Sequence, residues 1–474
     1  MIRSILICSC LLFCKVFAQY TLLAPQTDTF NSSFSLSSDQ QEQTGINATL
    51  ASNFALALNF ERSNFANGST ESESFYNAPS NSSQAPPGSL LKVELDANTS
   101  SYTLPPNTAI SRFIFQSQSL NGSKVPVSAY ILWPYQPRST ADGYSIVAWS
   151  HGSSGSIGNC APSHYRNLLY QFAAPFELAL QGYVVVAPDY LGLGVTQDAN
   201  GNPLIHPYLG SPAHANDLFY SVQAAQSAFP ALSKKFVIMG HSQGGGAAWA
   251  ATQRQAEKPV PGYLGAVVGS PVTDIFSLVD PNDVGSDARF AAFLTHTLTD
   301  FYPGFSPNEI LTSAGQKRLA LLAEVGGCYN AALELFADTT GLVTANWTRN
   351  SSYALQYRDL VRNGGKRIAG PVLVLQGEAD AAVPVSATTK AVDETCGSYP
   401  DSELEYATFA GVDHVPVMFA SQRIFLDWID ARFQGSEVKS GCQRTNYSSA
   451  RPYSYYQKEQ NWFVEFAVDA YETA

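Results

Sequence analysis

Residues 240–244 read Gly-His-Ser-Gln-Gly and stand between an apolar run and a stretch of small residues. This Gly-x-Ser-x-Gly pattern is typical of a sharp turn that leads from a strand into a helix and holds the serine hydroxyl above a sheet edge. The two glycines permit so tight a turn. We therefore predict that Ser242 is a nucleophile, while the pentapeptide alone leaves open an ordinary strand-to-helix turn.

A serine hydroxyl attacks a carbonyl group only when a base takes its proton, and a histidine base needs a carboxylate to orient it. Two later apolar strands end in loops that carry such groups, at 376–380 (Gln-Gly-Glu-Ala-Asp) and at 410–414 (Ala-Gly-Val-Asp-His). The chain order serine, acid, histidine is that of α/β-hydrolases. We predict Asp380 as the acid, with Glu378 and Asp413 as alternatives, and His414 as the base.

The remaining histidines are expected to serve the structure. His241 adjoins the predicted nucleophile, and in such a turn its side chain should point away from the reacting group. The others assigned to structural roles are His164, His206, His214 and His296.

Attack on a carbonyl carbon places negative charge on the carbonyl oxygen, which needs hydrogen-bond donors. The backbone N–H of Gln243 can supply one at the start of the helix that follows the turn. A second donor should come from the His-Gly-Ser turn at 151–153, from either Gly152 or Ser153. The glycine-rich stretch here is not a phosphate-binding loop, because the lysine and spacing of that motif are missing.

The elements around these residues alternate short apolar strands with amphipathic helices, which predicts a mostly parallel sheet covered by helices on both faces. Asn121-Gly122 predicts a hairpin ahead of it. A helix is expected at about 165–180, and a loop-like tail is expected after 435. We assign 19–105 to a Ser/Asn-rich extension, 106–272 and 367–434 to the α/β core, 273–366 to a helical cap insertion and 435–474 to the tail.

The first 18 residues have the basic, apolar and small-residue regions of a secretory signal peptide, so the mature chain should be extracellular. Removing them leaves Cys160, Cys328, Cys396 and Cys442, which predict two disulfides with three connectivities open. No metal or other cofactor is expected, since no CxxC or closely spaced Cys/His pair occurs. The sequons that mark a secreted glycoprotein lie at Asn31, Asn47, Asn67, Asn81, Asn98, Asn121, Asn346, Asn350 and Asn446.

The formal net charge of −12 and the lack of Lys/Arg runs exclude nucleic acid as an expected partner. No apolar run after the N-terminal segment reaches the roughly 20 residues that span a bilayer. The expected partner is an ester or lipid substrate. Transient contact with a lipid surface and the oligomeric state are left open.

Several of these pieces together resemble the fungal secretory lipase family. They are 240–245, 159–163 (Asn-Cys-Ala-Pro-Ser), 188–194 (Pro-Asp-Tyr-Leu-Gly-Leu-Gly), 377–380 with Val383-Pro384, and His414. The resemblance implies an α/β-hydrolase with a helical cap that acts on carboxylic esters. It also implies the disulfides Cys160–Cys328 and Cys396–Cys442. The family pattern has an aspartate of the oxyanion hole where this chain has Asn159, which bears on the second donor.

From the sequence we expect a secreted serine carboxylic ester hydrolase, a lipase or esterase that forms an acyl-enzyme. A serine peptidase or an acyltransferase on the same fold would differ only in its acceptor. The alternative from another class is an inactive binding module with this fold. Such modules usually lack a triad member, whereas all three types are present here.

Overall fold

A computed structural model describes residues 33–80, 82–279, 288–337 and 341–457 of the chain. The predicted signal peptide, Asn31 and Asn81 lie outside these residues. The described part contains a sheet of eleven strands in the order β1-β2-β3-β6-β5-β7-β8-β9-β10-β11, with β4 beside β5. The strands are β1 (Leu90–Glu94), β2 (Thr108–Gln118), β3 (Lys124–Pro134), β4 (Ser139–Thr140), β5 (Gly143–Ser150), β6 (Val184–Pro188), β7 (Leu232–His241), β8 (Tyr263–Gly269), β9 (Val372–Gly377), β10 (Leu404–Phe409) and β11 (Cys442–Tyr447).

The sheet is parallel from β6 to β11 and antiparallel from β1 through β3 to β6. The predicted hairpin is present, because β2 and β3 pair up to Gln118 and Lys124 and Gly122 turns the chain with a φ of 86°. The central strands β5 to β9 are apolar and buried on both sides, as a parallel sheet covered by helices requires.

Helices cover both faces of the sheet. Apolar residues of α4, α5 and α11 pack against one face, and those of α3, α12 and α13 pack against the other. The helices are α1 (Ser38–Thr44), α2 (Ala48–Ser63), α3 (Pro175–Leu180), α4 (Ser211–Ala228), α5 (Gln243–Glu257), α6 (Ala288–Phe301), α7 (Ser313–Glu324), α8 (Tyr329–Leu335), α9 (Trp347–Asn350), α10 (Ser352–Val361), α11 (Val385–Ser398), α12 (Pro416–Ala420) and α13 (Gln422–Phe433). In the part of the chain described here, none of the helices combines the length and apolar character needed to cross a bilayer.

The segment between β8 and β9 carries helices α6 to α10, which share a hydrophobic cluster separate from the two faces of the sheet. Leu50, Phe54 and Leu58 of α2 are buried in the same cluster. The N-terminal segment thus contributes a helix to the packing of the insertion, and it also contributes β1 to the sheet.

Two local predictions are wrong. The helix expected at about 165–180 is reduced to α3, because Leu168, Leu169 and Gln171 have positive φ angles that a right-handed helix does not accept. The tail is not only loop, since β11 pairs in parallel with β10 along its whole length. Its residues are exposed or half-buried, so the strand carries little of the apolar signal from which strands are predicted.

Candidate active site

The turn at Ser242 connects β7 directly to α5. Ser242 has φ 60° and ψ −122°, a conformation that L-residues rarely adopt and that costs on the order of 1–3 kcal/mol. The flanking glycines are required by close packing. A Cβ atom on Gly240 would lie 2.1 Å from the Gly244 carbonyl oxygen, and one on Gly244 would lie 1.9 Å from that of Ser150. Ser242 remains partly exposed at the carboxyl edge of the sheet.

Asp380 and His414 meet at this same edge. The Nδ1 atom of His414 donates to the Oδ2 atom of Asp380 over 2.8 Å, at a point where the aspartate side chain is fully buried. The other carboxylate oxygen accepts the backbone N–H groups of Ala382 and Val383. Burial acts to raise the pKa of Asp380, but the bond and charge of His414 and the Val383 N–H outweigh it and hold that pKa below its usual value.

The two alternative acids are engaged elsewhere. Glu378 accepts from the hydroxyl of Thr408 and from the side-chain amide of Asn446, on the outer side of the sheet edge. Asp413 accepts the backbone N–H of Ala381 and that of His414, and so closes the loop that carries the histidine. None of these hydrogen bonds joins either carboxylate to the imidazole of His414.

The structure does not join Ser242 to His414 by a hydrogen bond. Catalytic hydrogen bonds are often long in the absence of substrate. The base loop is nevertheless held against the nucleophile turn, because the Nε2 atom of His241 donates to the carbonyl oxygen of His414 over 3.0 Å. The two imidazole rings lie with their centroids 4.5 Å apart.

His241 therefore has a role that its sequence position did not indicate. Burial, with a further contribution from His414, lowers its pKa to about 3, so the ring is neutral. Because Nε2 carries the proton that is donated to His414, Nδ1 must be an acceptor, and it lies 2.9 Å from the hydroxyl of Tyr170. Tyr170 is a second residue whose contact with the site no sequence pattern indicates.

Gln376, the penultimate residue of β9, supports the acid. Its Nε2 atom donates to Oδ2 of Asp380 over 3.0 Å and to the carbonyl oxygen of Val383, and its Oε1 atom accepts from the hydroxyl of Thr388. The side chain is fully buried. The one hint of this role in the sequence is a polar glutamine directly after the apolar residues of a strand.

The predicted oxyanion-hole residues lie around the nucleophile. Gln243 opens α5, and a Cβ atom on Gly152 would lie 3.2 Å from Cβ of Ser242. Ser153, which follows Gly152, shares a 2.9 Å hydrogen bond between its hydroxyl and that of Tyr208. Asn159 is used differently, since its Oδ1 atom accepts the N–H and hydroxyl of Thr70 and so anchors the N-terminal segment.

Two disulfides are present, Cys160–Cys328 and Cys396–Cys442. Of the three connectivities, this is the one that the family resemblance implies. The first joins the loop after β5 to the residue before α8, and the second joins α11 to the start of β11. The first therefore ties the insertion to the loop after β5, and the second ties the edge strand β11 to α11.

Comparison with known proteins places these features in a family. A family model described as "Secretory lipase" matches residues 176–441, more than half of the chain. Lipase 10 of Candida albicans is 24% identical over 408 residues, covering 80% of this chain and 84% of that protein, and Lipase 5 of the same organism is 24% identical over 396 residues, covering 78% and 82%.

Two solved structures share the fold. Candida antarctica lipase A in its closed state superposes with a TM-score of 0.63 at 17% identity, over 79% of this chain and 88% of the other. LipA of Xanthomonas oryzae, described as a rice cell wall degrading esterase, gives a TM-score of 0.57 at 17% identity, over 74% of this chain and 98% of the other. The chain is thus an α/β-hydrolase that belongs to the secretory lipase family, a family of carboxylic ester hydrolases.

Proposed function

We propose that the protein is a secreted carboxylic ester hydrolase in which Ser242 is the nucleophile, His414 the general base and acid, and Asp380 the residue that orients it. The observation that carries this proposal is the 2.8 Å bond between Asp380 and His414, at the sheet edge where Ser242 occupies its strained turn. With Nδ1 committed to Asp380, the Nε2 atom of His414 is the nitrogen available for proton transfer.

The reaction proceeds in two steps. The Ser242 oxygen attacks the acyl carbon while its proton passes to Nε2 of His414, and the carbonyl oxygen becomes an oxyanion that the N–H of Gln243 and a donor at Gly152 or Ser153 stabilise. Collapse breaks the ester bond, and the alkoxide leaves with the proton from His414. Water then attacks the acyl-enzyme, gives its proton to His414 and releases the acid, with the proton returned to Ser242.

We propose the insertion 273–366 as a cap over this centre that binds the acyl chain. Phe290 and Phe293 of α6 pack against the ring of Tyr208, whose hydroxyl contacts Ser153 beside the nucleophile turn. An apolar wall beside the nucleophile turn is suited to the acyl chain of an ester. Secretion through residues 1–18 is part of the proposal, and the family description supports it.

The experiment that tests the triad compares four proteins on a p-nitrophenyl ester. We expect Ser242→Ala and Asp380→Asn each to lower kcat by about 10⁴-fold or more. The matched control is Glu378→Gln, which removes the neighbouring carboxylate that bonds to Thr408 and should stay within about 3-fold of the wild type. Near-normal turnover by Ser242→Ala, or equal losses for the two acid variants, contradicts the proposal. A fluorophosphonate that fails to label the wild type favours the inactive binding module.

The same purified protein is used to test which acceptor takes the acyl group from the enzyme. We expect hydrolysis of an ester to exceed that of the matching amide, and added alcohol to divert only a minor share of the acyl group. Faster cleavage of the amide indicates a peptidase, and transfer of most of the acyl group to the alcohol indicates an acyltransferase.

A further inference from the structure

A pair of hydroxyl groups joins the loop beside the nucleophile turn to the segment that the cap holds. The Ser153 hydroxyl lies 2.9 Å from that of Tyr208. Ser153 is partly exposed, whereas its neighbours Gly152 and Ser154 are buried. Gly152 lies against Ser242, so the next residue along the loop is close to the nucleophile turn.

The Tyr208 segment also contacts the residue that carries the other predicted donor. The backbone N–H of Leu209 donates to the side-chain Oε1 atom of Gln243 over 3.0 Å. Gln243 is the first residue of α5, and its backbone N–H belongs to the first turn of that helix, where no intrahelical acceptor exists. The Ser153–Tyr208 pair and the Gln243 N–H are therefore brought to the same end of α5.

The chemistry of the pair favours one direction of its hydrogen bond, although either hydroxyl can donate in this geometry. A phenol is a stronger acid than an alkyl alcohol, so the Tyr208 hydroxyl is the better donor and Ser153 the better acceptor. When Tyr208 donates, the Ser153 proton is left for a further acceptor, and the bond it receives polarises the Ser153 O–H group. A polarised hydroxyl next to the nucleophile is suited to an oxyanion.

Tyr208 is itself held by the cap. Its backbone N–H donates to the hydroxyl of Thr297 on α6, and its carbonyl oxygen accepts from the hydroxyl of Tyr357 on α10, each over 2.9 Å. Its ring packs edge-on against Phe293 with centroids 5.2 Å apart. The side chain that bonds to Ser153 is thus positioned by two cap helices and not by the sheet.

We infer that the hydroxyl of Ser153 is the second oxyanion donor and that Tyr208 is a positioning residue through which the cap sets that donor. This inference rests on the proposed function and specifies one atom of its oxyanion hole. It differs from a donor at a backbone N–H of Gly152 or Ser153, because a backbone donor would survive removal of the serine side chain.

The test measures kcat and KM of Ser153→Ala and Tyr208→Phe on a p-nitrophenyl ester. We expect Ser153→Ala to lower kcat by about 10²-fold to 10³-fold with KM changed less than about 3-fold, since the bond forms only in the transition state. Tyr208→Phe should lower kcat by about 10-fold, and the double variant should match Ser153→Ala alone, because the two residues act through one bond. The inhibition constant of an aliphatic trifluoromethyl ketone, whose adduct carries the oxyanion, should rise in parallel with the loss of kcat.

Two controls separate this role from a structural one. Tyr263→Phe removes a tyrosine hydroxyl that bonds to the Ala369 carbonyl far from the nucleophile turn, and it should leave kcat unchanged. Thr297→Val removes the side-chain acceptor of the Tyr208 N–H, and it should lower kcat in the wild type but not in the Ser153→Ala background. If Thr297→Val lowers kcat by the same factor in the wild type and in Ser153→Ala, the link between the cap and Ser153 is contradicted.

Wild-type kcat retained by Ser153→Ala overturns the inference and leaves the proposed function intact, since a backbone donor then suffices. Wild-type kcat in Tyr208→Phe, with activity lost in Ser153→Ala, overturns the role of Tyr208. Failure of the proposed function would be visible earlier, as a wild-type protein that a fluorophosphonate does not label at Ser242.

Discussion

The Nε2 atom of His241 lies 3.0 Å from the carbonyl oxygen of His414. This bond joins the residue before the proposed nucleophile to the backbone of the proposed base, across 173 positions of sequence. Because the Tyr170 hydroxyl donates to the other ring nitrogen, His241 is held in one tautomer and one orientation. The distance between the nucleophile turn and the base loop is therefore set by a buried, neutral imidazole.

Replacing His241 by phenylalanine keeps an aromatic ring and removes both hydrogen bonds. We expect kcat to fall by about 10-fold, because small displacements of a general base are costly. In Tyr170→Phe, His241 keeps its hydrogen bond to His414, so this variant should lower kcat by a smaller factor. The measurement is steady-state kinetics, with the thermal midpoint as a check that the variants are folded. Equal kcat values for His241→Phe and the wild type would contradict the proposed role of His241.

Replacing Gln376 by methionine keeps an unbranched side chain and removes the amide that bonds to Asp380. We expect kcat to fall by about 10-fold, since the carboxylate loses a partner that fixes its Oδ2 atom. The thermal midpoint should also fall, because the Thr388 hydroxyl and Val383 carbonyl are left buried without this partner, at about 1–3 kcal/mol. A kcat that is unchanged while the midpoint falls would mean that Gln376 serves stability alone.

The buried Glu61 of α2 should make the free energy of unfolding depend on pH. Its buried carboxylate accepts the backbone N–H groups of Cys328, Asn330 and Ala331 at the start of α8. Burial raises its pKa from 4.5 to about 7, although these bonds and the charge of Arg62 oppose the shift. Between these two pH values the unfolded chain has lost a proton that the folded chain still holds, so this group makes the free energy of unfolding fall as pH rises.

Glu61→Gln removes this titration. We expect the variant to be close to the wild type in thermal midpoint at pH 5 and more stable at pH 8, with the difference growing by at most about 1.4 kcal/mol per pH unit. Glu71→Gln, at an exposed position, controls for the loss of a negative charge. A difference between Glu61→Gln and the wild type that does not change with pH contradicts the prediction.

The tail strand β11 supports the loop of His414. The Ala410 N–H donates to the Tyr447 carbonyl oxygen, and Gly411 lies against the ring of Tyr453. β11 buries little apolar surface, so the disulfide Cys396–Cys442 should hold it in place. We expect Cys396→Ser/Cys442→Ser to lose about 2–4 kcal/mol of stability and to show faster amide exchange at 410–414 and 442–447. Unchanged exchange in both segments would contradict this role.

Local sequence determined the parts of the fold that local geometry controls. The Gly-x-Ser-x-Gly turn follows from the close approach of Gly240 and Gly244 to neighbouring backbone, and the Asn121-Gly122 hairpin follows from its turn residues. The unbroken apolar runs predict buried parallel strands, because a strand that is apolar on both sides must be covered by helices on both faces of the sheet. Each of these features is indicated by residue types that are near one another in the chain, even where, as at Gly244, the close contact is with a distant segment.

The sequence favoured Asp380 over Glu378 and Asp413, but only the tertiary structure shows that it is the Asp380 side chain that bonds to the His414 imidazole. The tertiary structure also revealed β11, the bond from His241 to His414, and the pair formed by Ser153 and Tyr208. These are contacts between segments far apart in sequence, and they depend on side-chain direction and distance. Composition and periodicity carry no record of either quantity. For that reason the sequence predicts the candidate residues and their common sheet edge, but not the contacts of His241, Gln376 and Tyr208 that support them.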